Sequence, residues 1–331
     1  MGISICIPTY NQADYLELAV RSTLEQTIPI LEIIVSNDCS TDTTKEVLDK
    51  LSKEISILKV VHQTNNLGIA QNVNACLRLA TGDYIIRLDS DDCLMPQFAE
   101  KLVHQFSLYP NAGYAHAAVE EINPLGTKIR VRNLTRKTGF QSAEVALKEA
   151  IKGYKVAANI VMFSKQALEK INFLDSKVNF AEDYYMVTRI SAANFGNIYC
   201  NEILSKYRVW TDKNKVRQKR KREEIIGLTK VFQEVLEPVY TQKKWSLLPL
   251  YTMRESLAIR HSDCLGWKAY SPIEKEELKS MIYQLSSSSK VKIYIWIFLN
   301  GFGFIVVSYS KTILFIKSFI KNILFRLRKE N

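Results

Sequence analysis

No two of the six cysteines, Cys6, Cys39, Cys76, Cys93, Cys200 and Cys264, form a CxxC pair. Their spacing builds neither a zinc site nor a redox dithiol. A chain of 331 residues needs no disulfide framework to fold. The cysteines read as reduced, buried thiols. Histidine is scarce: His62, His104, His116 and His261 match no metal-ligand spacing and read as structural. Glycine and proline number 12 and 8, which excludes collagen-like and low-complexity chains. Neither GxGxxG nor GxxxxGK(S/T) occurs, which argues against a dinucleotide site and a P-loop. The N-terminus, MGISICIPTYN, lacks a basic stretch followed by an apolar run, and Gly2 does not open a good acylation signal. A cytosolic compartment is expected.

What the chain does have is an uneven charge. Residues 1–120 carry 8 Lys and Arg against 15 Asp and Glu, and residues 121–331 carry 37 against 19. The first part is acidic and the second basic, so different partners are expected for each. Hydrophobic residues make up 47% and charged residues 24%, ordinary for a globular chain and unlike a multispanning one.

Short apolar runs alternate with amphipathic stretches over the first 120 residues. Strands are expected at 3–8, 31–36, 57–62, 84–88 and 112–119, with helices at 14–26, 42–52, 69–80 and 96–108. This is the pattern of a parallel sheet covered on both faces. Beyond residue 125 the pattern loosens to strands near 158–163 and 203–209, a helix at 183–193, and helical stretches near 223–237, 247–260 and 272–285. In an open α/β sheet, ligands bind beyond the carboxyl ends of the strands. Those ends carry Pro8, Thr9, Tyr10 and Asn11; Asn37 to Asp42; Asn65, Asn66 and Gly68; and Asp89, Ser90, Asp91 and Asp92. Three carboxylates within four residues repel one another unless a cation joins them. Hard oxygen donors suit Mg²⁺ or Mn²⁺. The plainer alternative is a polar turn with Asp92 capping the next helix.

The segments ISICIPTYN, IIVSNDCSTDTT, NNLGIAQNVN and ATGDYIIRLDSDD, in this order, resemble the inverting nucleotide-sugar glycosyltransferases of family 2. The likeness is strong over residues 3–95, weaker to about 210, and does not reach the tail. It implies a GT-A fold, a Rossmann-like open mixed sheet with helices on both faces; the residues beyond it read by themselves as a helical, membrane-associating C-terminal region. It implies that Pro8, Thr9, Tyr10, Asn11, Asn66, Gly68, Asp89 and Ser90 meet the nucleotide, with Asp38 accepting from the uracil N–H. Asp91 and Asp89 would hold Mn²⁺ or Mg²⁺, with Asp92 beside them. Where the family often carries Arg after the glycine, Gln71 and Asn72 stand here. Ala181-Glu182-Asp183-Tyr184 resembles the family's Glu-Asp motif, with Asp183 as the base and Glu182 its neighbour. Without that resemblance the pair is an ordinary acidic helix start. Tyr207-Arg208-Val209-Trp210 resembles a Tyr-Arg-x-His motif whose His helps hold metal or diphosphate. Trp210 replaces that His, and Arg208 is left as a structural or phosphate contact.

The expected domains are a catalytic one over 1–212 (nucleotide half 1–120, acceptor half 121–212), a basic and helical region over 213–289, and a membrane-associating tail over 290–331. Lys213–Arg222 holds seven Lys and Arg. Ile293–Ser310 is 18 residues without a charge, at the lower limit for a span. Thr312–Phe325 carries Lys317 and Lys321 on one helical side. A single span would put this basic tail outside, whereas an in-plane or re-entrant anchor keeps it on the cytosolic side, at the inner face of the plasma membrane, and is the reading preferred; a buried helical hairpin or a dimer interface is the plainer alternative. The resemblance implies a UDP-sugar donor and a hydroxyl acceptor on a lipid-linked glycan in O-antigen or capsule assembly. No nucleic-acid partner is expected. A sugar nucleotidyltransferase would need a basic Gly-rich loop after the first strand, which Thr9-Tyr10-Asn11-Gln12 lacks. A non-catalytic nucleotide-binding scaffold would bind UDP without turnover.

Overall fold

The strand β1 (Ile3–Thr9) lies between β2 (Glu32–Asn37) and β4 (Tyr84–Arg87), with β3 (Leu58–His62) outside β2, all four parallel. They belong to a computed structural model that describes residues 1–174, 178, 180–210, 218 and 220–305. Helices α1 (Ala13–Leu24), α2 (Thr44–Glu54) and α3 (Ile69–Leu79) connect these strands. β1 is buried on both faces, so its residues need no polar side. Ile5 and Ile7 pack with Leu16, Val20, Leu48 and Leu102, while Cys6 packs with Ile34, Val73, Leu77 and Ile85. The period-two alternation of a strand thus feeds two cores.

At the amino end of the sheet, Glu32 is buried at the start of β2. Its Oε1 accepts from Ser4 Oγ at 2.6 Å and from Thr81 N at 2.7 Å, and Lys59 Nζ donates to Oε2 at 2.6 Å. Burial works against the charge, but Lys59, Ser4 and Thr81 outweigh it and hold the carboxyl down at about 2. This network ties β1, β2 and β3 together at the end away from the cleft described below.

After β4 the sheet stops being parallel. β9 (Val161–Ser164) runs antiparallel to both β4 and β6 (Ala112–Ile122), and β10 (Gly196–Arg208) runs parallel to β6. The order is β3-β2-β1-β4-β9-β6-β10-β5, with β5 (Cys93–Leu94) at the end of the path. β7 (Lys128–Arg132) pairs with β6, and β8 (Gly139–Gln141) with β10. The result is the open mixed α/β sheet that the resemblance implies. The purely parallel pattern holds only for β1 to β4. Helices α4 (Phe98–Leu108), α5 (Ala143–Ala150), α6 (Lys165–Lys170) and α7 (Glu182–Ala192) complete the sheet's surroundings. The helix Lys221–Lys230 follows, continues through a π-helical stretch, Val231–Leu236, and ends as Glu237–Gln242.

The chain divides into two compact units, Met1–Leu247 and a second from Leu248 onward. In the second, Leu248–His261, Pro272–Leu285 and Ser289–Leu299 are helical. Ser271 and Glu274 form a capping box at the start of Pro272–Leu285, and Ser288 caps the last helix. Among the described residues no helix is long and apolar enough to cross a membrane. Most of the basic run 213–222, residues 306–310 of the uncharged stretch, and Thr312–Phe325 lie outside the described residues.

All six cysteines are free. Cys6, Cys76, Cys200 and Cys264 are buried as expected, Cys93 is half-buried, and Cys39 is exposed on the turn after β2.

Candidate active site

A cleft of about 380 Å³ opens at the carboxyl ends of β1, β2 and β4. Pro8, Thr9 and Tyr10 line it at the end of β1. Thr9 is buried with its Oγ1 unpartnered, and Tyr10 is exposed. Asn11 is not among the lining residues. It takes a φ of 52°, and its Oδ1 accepts from Thr41 N at 2.8 Å while its own N–H donates to Ser40 Oγ at 2.9 Å. It knits the loops after β1 and β2 together.

Asp38, buried after β2, lines the cleft and holds the loop that faces it. Its Oδ1 accepts from Leu67 N at 2.7 Å and its Oδ2 from Gly68 N at 3.0 Å. Asn66 Nδ2 donates back to the Asp38 carbonyl at 3.2 Å. Gly68 sits at φ 80°, where a side chain would be strained. Each Asp38 oxygen keeps one lone pair. Asn72, in the position where the family often has Arg, lines the cleft and exchanges hydrogen bonds with Ser36, accepting from its Oγ at 2.6 Å and donating to its carbonyl at 2.9 Å.

Asp89 to Asp92 form a tight turn, closed by Asp92 N donating to the Asp89 carbonyl at 3.0 Å. Asp89, Ser90 and Asp91 line the cleft. Asp92 does not cap a helix, since β5 follows it and α4 begins only at Phe98. It is buried, with Oδ1 accepting from Arg208 N at 2.7 Å and Oδ2 unpartnered. Burial, then the charges of Asp91 and Asp89, push its carboxyl well up. Burial and Asp89 push Asp91 up as well.

Arg208 and Trp210 hold this turn from outside the cleft. The Arg208 guanidinium donates to the carbonyls of Asp91, Asn123 and Pro124, each at 2.9 Å, and lies over the Tyr15 ring. Trp210 Nε1 donates to Asp91 Oδ2 at 2.6 Å, with the indole edge-on to Tyr15. An indole N–H only donates, so Trp210 orients a carboxylate where a histidine could have ligated.

Arg87, which motif reading passed over, is the centre of the acidic wall. It ends β4 and is buried. Its guanidinium donates to Asp89 Oδ1 at 3.2 Å and to Asp183 Oδ1, and lies 3.9 Å from Glu182. The signal was visible in the sequence: a charged residue closing an otherwise apolar buried strand. Glu182 and Asp183 open α7 after Ala181, whose φ of 59° turns the chain. Both are buried; Glu182 lines the cleft with Asn159 and Arg87, while Asp183 does not. Burial raises the Glu182 carboxyl and holds that of Asp183 up at about 8, the charge of Arg87 opposing.

His62 pairs with Asn37, and His116 is fully buried without a hydrogen-bond partner, its ring against Tyr199; neither lines the cleft. Among the described residues no three His, Cys, Asp or Glu side chains converge to hold a metal by themselves. The donor set nonetheless fits a hard divalent cation. Asp89 and Asp91 both line the cleft, and Mg²⁺-type sites take one or two carboxylate ligands and the rest from phosphate and water.

The sequence model of Glycosyl transferase family 2 matches residues 4–171. The chain is 32% identical over 189 residues to a chondroitin synthase of Pasteurella multocida, covering 57% of this chain but 19% of that protein. It is 30% identical over 176 residues to the GalNAc(5)-diNAcBac-PP-undecaprenol beta-1,3-glucosyltransferase of Campylobacter jejuni, covering 52% of this chain and 54% of that protein. The chain therefore spans less than two thirds of the length of either relative. The crystal structure of S. aureus TarS shares the fold, with a TM-score of 0.64 at 15% identity over 89% of this chain and 50% of that one. TarS 1–349 in complex with UDP superposes at a TM-score of 0.58 and 15% identity, over 94% of this chain and 92% of that one. The four motifs, the open mixed sheet and a family match over half its length agree: the chain belongs to glycosyltransferase family 2.

Proposed function

We propose that the protein transfers a hexose or N-acetylhexosamine from a UDP-sugar, with inversion, to a hydroxyl of a lipid-linked glycan during assembly of a surface polysaccharide. One observation carries this reading: a single cleft joins the Asp38-anchored loop at one wall to the Asp89, Asp91 and Glu182 carboxylates at the other. Asp38 and its loop suit the nucleotide base, since a carboxylate is a strong acceptor for an N3–H. Thr9 and Tyr10 flank it. Asp89 and Asp91 would hold Mn²⁺ or Mg²⁺, which neutralises the charge of a leaving diphosphate. Asp183 takes the proton of the acceptor hydroxyl as its oxygen bonds the anomeric carbon and the bond from that carbon to UDP breaks. The PP-undecaprenol in the name of the Campylobacter jejuni relative supports a glycan acceptor carried on a lipid, and the chondroitin synthase, by its name, supports polysaccharide assembly.

The test is a donor screen: purified protein with a panel of UDP-sugars, Mn²⁺ or Mg²⁺, and UDP release with and without EDTA. Release from one donor is expected, lost with EDTA. Asp91→Asn is expected to lower that release at least about a hundredfold, the scale of losing a preorganised charge-stabilising group. Undiminished release by Asp91→Asn would remove Asp91 from the cation site. Calorimetry showing no UDP binding by the wild-type chain would sink the reading as a whole.

The reading extends to the cytosolic membrane surface. The helix Ser289–Leu299 is apolar on two sides. Val291, Ile295 and Phe298 are buried, whereas Ile293 and Trp296 are 57% and 58% exposed. Phe302, Phe304 and Ile305 continue the exposed apolar surface, and Lys290 and Lys292 stand at the helix start. Such a face with flanking bases suits an anionic bilayer. Co-sedimentation with phosphatidylglycerol vesicles, and less with phosphatidylcholine, is expected, and Ile293→Asp with Trp296→Asp should abolish it. A doubly substituted protein that still pellets would overturn the assignment of this helix face to the membrane.

A further inference from the structure

We propose that the helix Lys221–Lys230 and the π-helical stretch after it form a brace that fixes where Glu182 and Asp183 sit, with Gly227 and Tyr185 as positioning residues. The inference rests on the reading of Asp183 as the proton acceptor. Gly227 lies inside the helix and is buried. A Cβ built on it would stand 2.0 Å from the Phe180 carbonyl oxygen and 3.4 Å from Ala181 Cβ. Only glycine lets the helix come this close. Glycine inside a helix costs about 1 kcal/mol relative to alanine, so the position is one where the helix needs close approach more than intrinsic propensity.

Two further contacts act on the same turn. The Arg220 guanidinium lies over the Phe180 ring, 5.1 Å from its centroid. Tyr185 Oη donates to Glu234 Oε2 at 2.7 Å, tying the first turn of α7 to the π-helical stretch. Between these contacts Ala181 takes φ 59° and ψ 22°, a left-handed conformation that alanine rarely adopts. A strained residue persists where its surroundings over-determine it. The brace supplies that constraint on the residue directly before Glu182 and Asp183. Neither Gly227 nor Tyr185 lines the cleft, so the nucleotide side does not depend on them.

The experiment compares Gly227→Ala and Tyr185→Phe with the wild-type chain and with Asp183→Asn. Four quantities are read: melting temperature, UDP affinity by calorimetry, amide hydrogen exchange over residues 181–185, and turnover of the UDP-sugar found in the donor screen. Both variants are expected to bind UDP as the wild type does and to exchange faster over 181–185. Turnover should fall about a hundredfold in Gly227→Ala, the cost of roughly a 1 Å misplacement, and by less in Tyr185→Phe. If the added methyl prevents folding, Tyr185→Phe carries the test, because it removes only a hydroxyl. Unchanged exchange over 181–185 in a folded variant overturns the brace, as does a fall in UDP affinity that matches the fall in turnover. An inactive Asp183→Asn beside a fully active Gly227→Ala removes the brace and keeps Asp183. A fully active Asp183→Asn removes Asp183, and the exchange data still decide the brace.

Discussion

Asp183→Asn is expected to bind UDP as tightly as the wild type and to transfer sugar about 10²–10⁴-fold more slowly, the scale of a lost general base. Asparagine has the carboxylate's shape but cannot take a proton at neutral pH. Asp183 is absent from the cleft lining and hydrogen-bonds to Arg87, so UDP binding is not expected to need its charge. The fold should survive, because Arg87 keeps Asp89 at 3.2 Å and Glu182 at 3.9 Å. The pH dependence separates a base from a bystander. Burial holds the Asp183 carboxyl up at about 8 against the pull of Arg87. The fraction able to accept a proton therefore rises as pH rises toward 8, and wild-type turnover should rise with it. That limb should be missing from the residual activity of Asp183→Asn. Turnover measured from pH 5.5 to 9 in both proteins checks this. A variant as fast as the wild type would shift the role to Glu182, the neighbouring carboxyl that does line the cleft, and Glu182→Gln would then be the inactive form.

The part of the molecule most legible in the sequence was the part whose side chains answer only to the sheet. β1, β2 and β4 are mostly apolar because both faces are covered, while β3 is a half-exposed edge strand, and each expected boundary falls within about two residues of the observed one. The strand-end rule then put Thr9, Asp38 and Asp89 on one rim before any contact was known. Past residue 120 the local signal fails for identifiable reasons. β8 has three residues, too few for a period, as does the two-residue β5 before it at Cys93–Leu94. The described side chains of β7 are largely exposed, so its alternation reflects pairing with β6 and not burial. β10 begins at Gly196, seven residues earlier than expected, because its first half is specified by partners on β6 and β8.

The site divides in the same way. Residue type and strand position were enough to select carboxylates, but not to say what each one faces. Asn11, expected at the nucleotide, does not line the cleft and has its amide on Thr41, with a φ of 52°. Trp210 was visible only as a departure from a motif; its hydrogen bond to Asp91 spans 119 residues of sequence. Arg87 and Asp183 are 96 residues apart, and nothing local links them. Their meeting depends on α7 returning to the end of β4, a feature of topology that no window of sequence contains.

Arg87→Met is expected to be the most damaging single change to stability, about 3–5 kcal/mol at pH 9, because it leaves buried carboxylates without their counter-charge. Met matches the arginine stem in shape and removes only the guanidinium. The loss should depend on pH in a definite direction. In the unfolded chain Asp and Glu carboxyls titrate near about 4. In the folded wild type burial already raises Glu182 and holds Asp183 at about 8, with Arg87 pulling both down. Without Arg87 the folded values rise further. Between the unfolded and folded values the folded state holds protons that the unfolded state has released, so stability falls as pH rises through that window. Below about pH 4 these carboxyls are protonated in both states, and this part of the penalty is absent. Urea unfolding of Arg87→Met and wild type at pH 5 and pH 9 should therefore give a gap that widens with pH. A gap equal at both pH values would mean that Arg87 contributes through packing and not through charge. No gap at either would remove it from the centre of the acidic wall. Turnover should fall as well, since an Asp183 carboxyl pushed above about 8 keeps its proton at neutral pH and cannot accept one from the incoming hydroxyl.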